Sequence, residues 1–315
     1  MQRMQRTWLL TALLALLVAG CGLLRPAAPP AVTREVTDSG GIVVRLPQVP
    51  QRIVSLSIAT DEILAALVPP ERIAALTYLA DDRGISNIAD AAKAVKARSR
   101  ANAESIIALS PDLVLIPDWQ PPELAQTLRD AGLAVYVFQS GRTIDSIKDN
   151  IRELAAVTGE PAKGDAVVAQ MDAVLASVTD RVTAVPAEQQ KVVLQFSLLG
   201  GIGGRGSSFD DLCRYAGVKN AAALAGFDQS QVVSKEALLA VNPDILLMPA
   251  WDYAGASDLE QYRSQIQNDP ALQSVKAVRT RQLIQVPDRY LSASSQYIVQ
   301  GVKAVAEAAY PELFR

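Results

Sequence analysis

Among its 315 residues the chain has 0 histidines. That absence removes imidazole general bases, Ser-His-Asp triads and histidine-ligated zinc together. Cysteine is nearly missing as well, with only Cys21 and Cys213, so no disulfide framework holds the fold. There is no excess of positive charge: 30 Lys+Arg face 33 Asp+Glu, a net −3, and a phosphate-binding or nucleic-acid surface is not expected. Aromatics make up 5%, so each one carries weight. What is present is an apolar half, which rules out a mainly disordered chain, and a length that favours two domains.

Arg3 and Arg6 precede an apolar run from Leu9 to Val18 that only Thr11 interrupts, and Ala19-Gly20-Cys21 follow. The run is short for a membrane span and has the flanks of a secretory signal. It resembles a bacterial lipoprotein signal. The resemblance implies that residues 1–20 are removed and that Cys21 is lipidated, which anchors an exported protein to the membrane facing the periplasm or cell exterior. Losing Arg3 and Arg6 takes the net charge from −3 to −5. Cys213, in the helical pattern Asp210-Asp211-Leu212-Cys213-Arg214-Tyr215, then reads as a small buried apolar residue. Pro26-Ala27-Ala28-Pro29-Pro30 reads as an extended tether.

The body repeats itself once. Glu104 to Trp119 aligns without a gap on Glu236 to Trp251, and Glu, Ala, Pro, Asp, Leu, Pro and Trp coincide. Each unit predicts a short helix ended at Ser110-Pro111 or Asn242-Pro243, a turn at Pro-Asp, and a buried strand of four apolar residues. A proline closes the strand and a tryptophan stands beyond its carboxyl end. Further strands are expected at Arg52–Leu56, Ala134–Phe138, Lys191–Phe196 and Gln282–Val286, with helices at Glu123–Asp130 and Ile144–Thr158 between them. Alternation of this kind predicts an α/β fold of two similar lobes with parallel central sheets. Val167, Val168, Met171, Val174, Leu175 and Val178 recur at helical spacing, and no glycine or proline intervenes from Asp165 to Val185. One helix of roughly 30 Å at 1.5 Å per residue is therefore expected to join the lobes stiffly. The expected boundaries are 21–50 for the tether and leading segment, 51–160 for the first lobe, 161–186 for the bridging helix and 187–315 for the second lobe.

Arg34–Asp38, Gln51–Ser57, Thr60–Leu67, both Pro-Asp-strand blocks and the closing Tyr310-Pro311-Glu312-Leu313-Phe314 together resemble the periplasmic substrate-binding proteins of ABC importers for iron–siderophore complexes, haem and cobalamin. The resemblance spans nearly the whole chain after Cys21. It implies two lobes bridged by one long helix, a ligand cleft between them, no enzymatic activity, and a monomer that delivers its cargo to a permease dimer with its ATPase.

In open parallel sheets, ligands bind beyond the carboxyl ends of the strands. The candidates there are Ser57, Tyr78, Trp119, Arg142, Arg205, Trp251, Tyr253, Arg289 and Tyr290. Two tryptophans at equivalent strand ends suit a large flat ligand, or else cap their own lobes. The arginines suit its anionic groups. Glu104 and Glu236 begin matched helices; the resemblance makes them the pair that docks on permease arginines.

Other readings stay open at this level. Gly201-Ile202-Gly203-Gly204-Arg205-Gly206 matches G-x-G-x-x-G, with Asp228 beyond it, and so admits a dinucleotide-binding oxidoreductase. The preferred account of these glycines is a loop that lets backbone approach the ligand. A bare zinc or manganese receptor normally needs imidazoles, and there are none. No resident metal or cofactor is expected; the cargo is a metal chelate. Ferric siderophore and cobalamin rank ahead of haem, for which Tyr78 or Tyr290 would be the axial ligand.

Overall fold

A computed structural model describes residues 33–252 and 254–315. The signal segment, Cys21, the Pro-Ala tether and Tyr253 lie outside the described residues.

A two-stranded ribbon, β1 (Thr33–Thr37) and β2 (Val43–Pro47), leads into the first sheet. Its strands are β3 (Ile53–Ser55), β4 (Ile73–Thr77), β5 (Arg98–Ser99), β6 (Leu113–Pro117) and β7 (Val135–Phe138), in the spatial order β5-β4-β3-β6-β7 and all parallel. The connections carry helices α1 (Ile58–Leu67), α2 (Ala103–Ala108) and α3 (Pro122–Asp130), and α4 (Ile144–Thr158) follows β7. Expected and observed bounds of α4 coincide. Its ends are chemically marked: Thr143 and Ser146 form a capping box, and Gly159 closes it at φ 81°.

Pro161 then opens α5 (Pro161–Val182), where a proline costs no helical hydrogen bond. Gly164, Val168, Met171, Leu175, Val178 and Val182 are its buried positions, a stripe at alternating spacings of four and three. Gly164 is needed because a Cβ there would lie 2.5 Å from the Ala155 Cβ of α4. The helix stops at Val182, short of the expected residue 186. Pro186 forces the residue before it out of the helical region, and the chain leaves through a tight turn from Val185 N to Val182 O at 3.0 Å.

The second sheet repeats the plan with β8 (Val192–Ser197), β10 (Lys219–Asn220), β11 (Ile245–Met248) and β12 (Leu283–Gln285) parallel in the order β10-β8-β11-β12. β9 (Gly200–Ile202) folds back antiparallel on β8. Helices α6 (Ser208–Tyr215), α7 (Ala221–Leu224), α8 (Lys235–Val241), α9 (Leu259–Asn268) and α10 (Lys276–Arg279) accompany it, and α11 (Asp288–Leu291) and α12 (Ile298–Ala309) end the chain. Cys213 is buried in α6 with its thiol pKa pushed up by burial, so it is an inert packing residue.

Residues 34–315 form one compact unit whose core runs through both lobes. Strand residues divide by parity. Leu113 and Leu115 of β6, and Ile245 and Leu247 of β11, join the central core that also contains the α5 stripe. Val114 and Ile116 face a separate outer cluster of the first lobe, and Leu246 and Met248 one of the second. Both faces of each sheet are therefore covered, which is why these strands read as unbroken apolar runs. Each fully buried Leu or Ile here contributes about 2 kcal/mol.

The repeat is clipped in the same way in both lobes. Asp112 accepts the backbone N–H groups of Gln51 and Arg52, at 2.7 and 2.8 Å, and so fixes the start of β3. Asp244 accepts Val192 N at 2.8 Å and fixes the start of β8. Ser110 and Asn242, each before its proline, both take the left-handed conformation, at φ 47° and 51°.

Candidate functional site

All five carboxyl ends of the first sheet open into one cavity of about 410 Å³. Ser57 lies just past β3, Tyr78 just past β4, Arg100 past β5, Trp119 past β6 and Ser140 past β7; Ser292 and Ser294 of the second lobe close one side. The lining is mainly apolar and aromatic, with Tyr78, Trp119 and Phe138 as its rings among the described residues.

Each wall has a visible support. Ser57 caps α1, accepting Thr60 N at 3.1 Å and pairing with Thr60 Oγ1 at 2.6 Å. Asp61, fully buried beneath the cavity, accepts the Thr77 N–H at 3.1 Å and the Thr77 hydroxyl, which fixes the strand end carrying Tyr78. Burial raises the Asp61 carboxyl to about 6 against the opposing hydrogen bonds from Ser55 and Thr77. The Arg100 guanidinium stacks 4.1 Å above the Tyr78 ring centroid. The Trp119 loop is pinned by Gln120 Nε2 donating to Leu56 O at 3.1 Å and by Ser140 N donating to Asp118 Oδ1 at 3.1 Å. Trp119 itself is 63% exposed, so little of its own lobe's packing depends on it.

The periplasmic binding protein family profile matches residues 53–290. The chain belongs to the periplasmic binding protein family. Over 334 residues covering 100% of both chains it is 23% identical to YvrC of Bacillus subtilis, an ABC transporter substrate-binding lipoprotein that is itself uncharacterized. It is 24% identical over 257 residues, 76% of this chain and 68% of the other, to a cobalamin-binding protein of Halobacterium salinarum. Among solved structures, the molybdate-binding protein MolA of Haemophilus influenzae, bound to molybdate, superposes with a TM-score of 0.73 at 23% identity, over 89% of this chain and 92% of that one.

Of the family member's expected site residues, the cavity gathers Ser57, Tyr78 and Trp119. Trp251 goes elsewhere: its Nε1 donates to Asp82 Oδ2 of the first lobe at 2.8 Å. Its ring sits so close to Gly84 that a Cβ there would be 2.0 Å from Cδ1. Trp251 thus joins the lobes and does not cap its own. Arg289 Nη1 donates to Arg83 O at 2.9 Å, and with Tyr290 it lines a separate, more polar cavity against residues 83–91. Arg142, exposed, reaches Gln229 of the second lobe, its Nη1 2.6 Å from the amide oxygen once that amide is turned toward it. Arg205 is exposed and donates to Ala223 O at 3.3 Å within its own lobe.

The glycine run is used for packing. Gly200–Ile202 is a strand, a Cβ on Gly204 would meet Asp228 O at 2.3 Å, and one on Gly201 would meet Leu194 and Val233 at 2.9 Å. Backbone approaches backbone here, which leaves neither the strand-to-helix phosphate turn of a dinucleotide fold nor a loop open to ligand along 201–204. Arg100, Gln120, Phe138 and Asn150 were missed as lining residues; strand-end position alone would have found Phe138, whereas Arg100 follows a two-residue strand with no apolar pattern.

Between the lobes a buried carboxylate holds the contact. Glu62, 2% exposed, accepts Asn87 N and Asn87 Nδ2 at 2.8 Å each and the Ser295 hydroxyl, while Gln296 Nε2 donates to Glu62 O at 2.8 Å. Burial lifts its carboxyl to about 7, against the hydrogen bonds from Ser295 and Asn87.

Glu104 and Glu236 are exposed in the first turns of α2 and α8, behind the matched caps Asn102 and Ser234. Hydrogen bonding at the helix start holds the Glu236 carboxyl below its ordinary range. Among the described residues no helix is long and apolar enough to cross a membrane.

Proposed function

We propose that this protein is an extracytoplasmic solute-binding lipoprotein, held to the membrane by lipid on Cys21, that captures a chelated metal and hands it to the permease of an ABC importer. The observation that carries the reading is the aromatic, mainly apolar cavity lying across the carboxyl ends of all five parallel strands of the first lobe. Rigid rings bury a flat ligand at low entropic cost, and a chain with 0 histidines is suited to a metal that arrives already chelated. Arg142, Arg205 and Arg289 do not line this cavity, which weakens the case for a highly anionic ferric siderophore and favours a corrinoid. The cobalamin-binding relative from Halobacterium salinarum supports the same choice. Haem is the second reading, because Tyr78 stands in the cavity with a ring and a phenol; Tyr290 stands outside it. Glu104 and Glu236 would meet cationic residues of the permease, one contact per lobe.

Purified protein without its signal segment should be mixed separately with cyanocobalamin, haemin, ferric siderophores and molybdate, and followed by visible absorption and tryptophan fluorescence. Quenching by a metal chelate at low micromolar concentration or below is the expected result. Response to molybdate with none of the chelates would transfer the reading to a small oxyanion. No response to any would remove it.

A further inference from the structure

Among the described residues, every side chain lining the first-lobe cavity is uncharged except Arg100. Its guanidinium lies over Tyr78 at 4.1 Å, and among the described residues no carboxylate comes within ion-pair distance of it. The neighbouring arginine behaves differently. Arg98 is clamped by Asp81 through two bonds, at 2.8 and 2.7 Å, and by the carbonyls of Ala92, Val95 and Ala97. Two residues apart, one cation is neutralised by the protein and the other is presented to the cavity. Stacking on Tyr78 holds Arg100 in place through one face while its N–H edge stays available, an arrangement that suits bidentate recognition of a phosphate or carboxylate.

We infer that Arg100 is a specificity-determining residue, and that the cargo is a flat metal chelate carrying one anionic group, a phosphodiester or a carboxylate, close to its ring edge. This rests on the metal-chelate reading above. A ligand of several negative charges would leave all but one without a protein cation in this cavity. A ligand with none would leave Arg100 desolvated against an apolar surface.

The test uses two ligand pairs that differ in the anionic group. Cyanocobalamin has a phosphodiester that cobinamide lacks, and haemin has carboxylates that its dimethyl ester lacks. Affinities are measured by calorimetry for the wild type, Arg100→Gln and Arg100→Lys, with unfolding midpoints confirming that the variants fold. For the pair that binds, the wild type should favour the anionic member by about tenfold or more, Arg100→Gln should bring the two within about twofold, and Arg100→Lys should fall between. A preference that survives in Arg100→Gln, or a wild type that binds both members equally, would overturn the assignment and leave the metal-chelate reading standing. A wild type that binds neither pair would overturn the assignment, and the metal-chelate reading would fall with it only if ferric siderophores also fail to bind.

Discussion

The two lobes carry the same sixteen-residue block, yet its final residue does opposite work in each. Trp119 stands 63% exposed on the rim of a cavity, whereas Trp251 donates its indole N–H across to Asp82 and fills the space that Gly84 leaves. Up to the closing proline the copies match closely: Asn102 and Ser234 cap the helices, Ser110 and Asn242 take the left-handed turn, and Asp112 and Asp244 clip the adjacent strands. Repetition therefore preserved the parts that build a lobe. The tryptophan beyond the strand is kept in both copies but its role diverged, because its surroundings come from the other lobe and not from the repeat.

The symmetric part supplies the largest expected effect. With Glu104→Arg and Glu236→Arg combined, uptake should be abolished while ligand affinity stays within about twofold, since both side chains are exposed and neither lines the cavity. Each single reversal should cost a comparable share of transport. Normal uptake by the double variant would break the symmetry of the docking surface.

The asymmetric part should show in stability. Trp251→Ala removes a hydrogen bond and fills nothing in return, and should cost about 3 kcal/mol in urea unfolding. Trp119→Ala should cost less than about 1 kcal/mol. Equal losses would mean that Trp119 also supports its lobe.

Next in size is the lobe contact at Glu62. Its ordinary carboxyl pKa of 4.5 is raised to about 7 in the fold, so folding binds a proton that the unfolded chain has released. Its stabilising contribution is complete below about pH 4.5 and is lost as pH rises through about 7, a fall of about 3 kcal/mol. Glu62→Gln should flatten that profile in urea unfolding between pH 5 and 8; an unchanged slope would move the titration to other groups such as Asp61, itself raised to about 6.

The smallest effect concerns the paired left-handed residues. Ser110→Gly should gain up to about 1 kcal/mol by relieving positive φ. Asn242→Gly should instead lose stability, because Asn242 Oδ1 accepts Lys276 N at 2.6 Å. Opposite signs in thermal unfolding would sharpen the comparison, and a gain in both would remove it.

Much of the architecture was legible because it is local. Apolar runs of four residues, prolines at helix starts and the threonine cap at 143 declare strands and helices without help from distant chain. β4 escaped because Ile73-Ala74-Ala75-Leu76-Thr77 carries small residues in place of a β-branched run, and β5 and β10 are two residues each. The Pro-Asp turns were read as turns, but the strand that each aspartate clips lies about 50 residues or more away, at Arg52 and Val192. The site was half legible for the same reason. Strand-end position found Ser57, Tyr78 and Trp119, whereas Trp251, Arg142 and Arg289 were turned aside by partners on the opposite lobe that no pattern in the chain announces.

The central claim is that Trp119, and not its repeat partner, walls the ligand site. Calorimetric affinities of Trp119→Ala and Trp251→Ala for whichever metal chelate the wild type binds most tightly test it most directly. Loss of a stacking ring at a ligand's centre costs about 2 kcal/mol, so Trp119→Ala should bind about tenfold to thirtyfold more weakly, with Trp251→Ala within about threefold of the wild type. Full affinity in Trp119→Ala, or a greater loss in Trp251→Ala, would contradict the account.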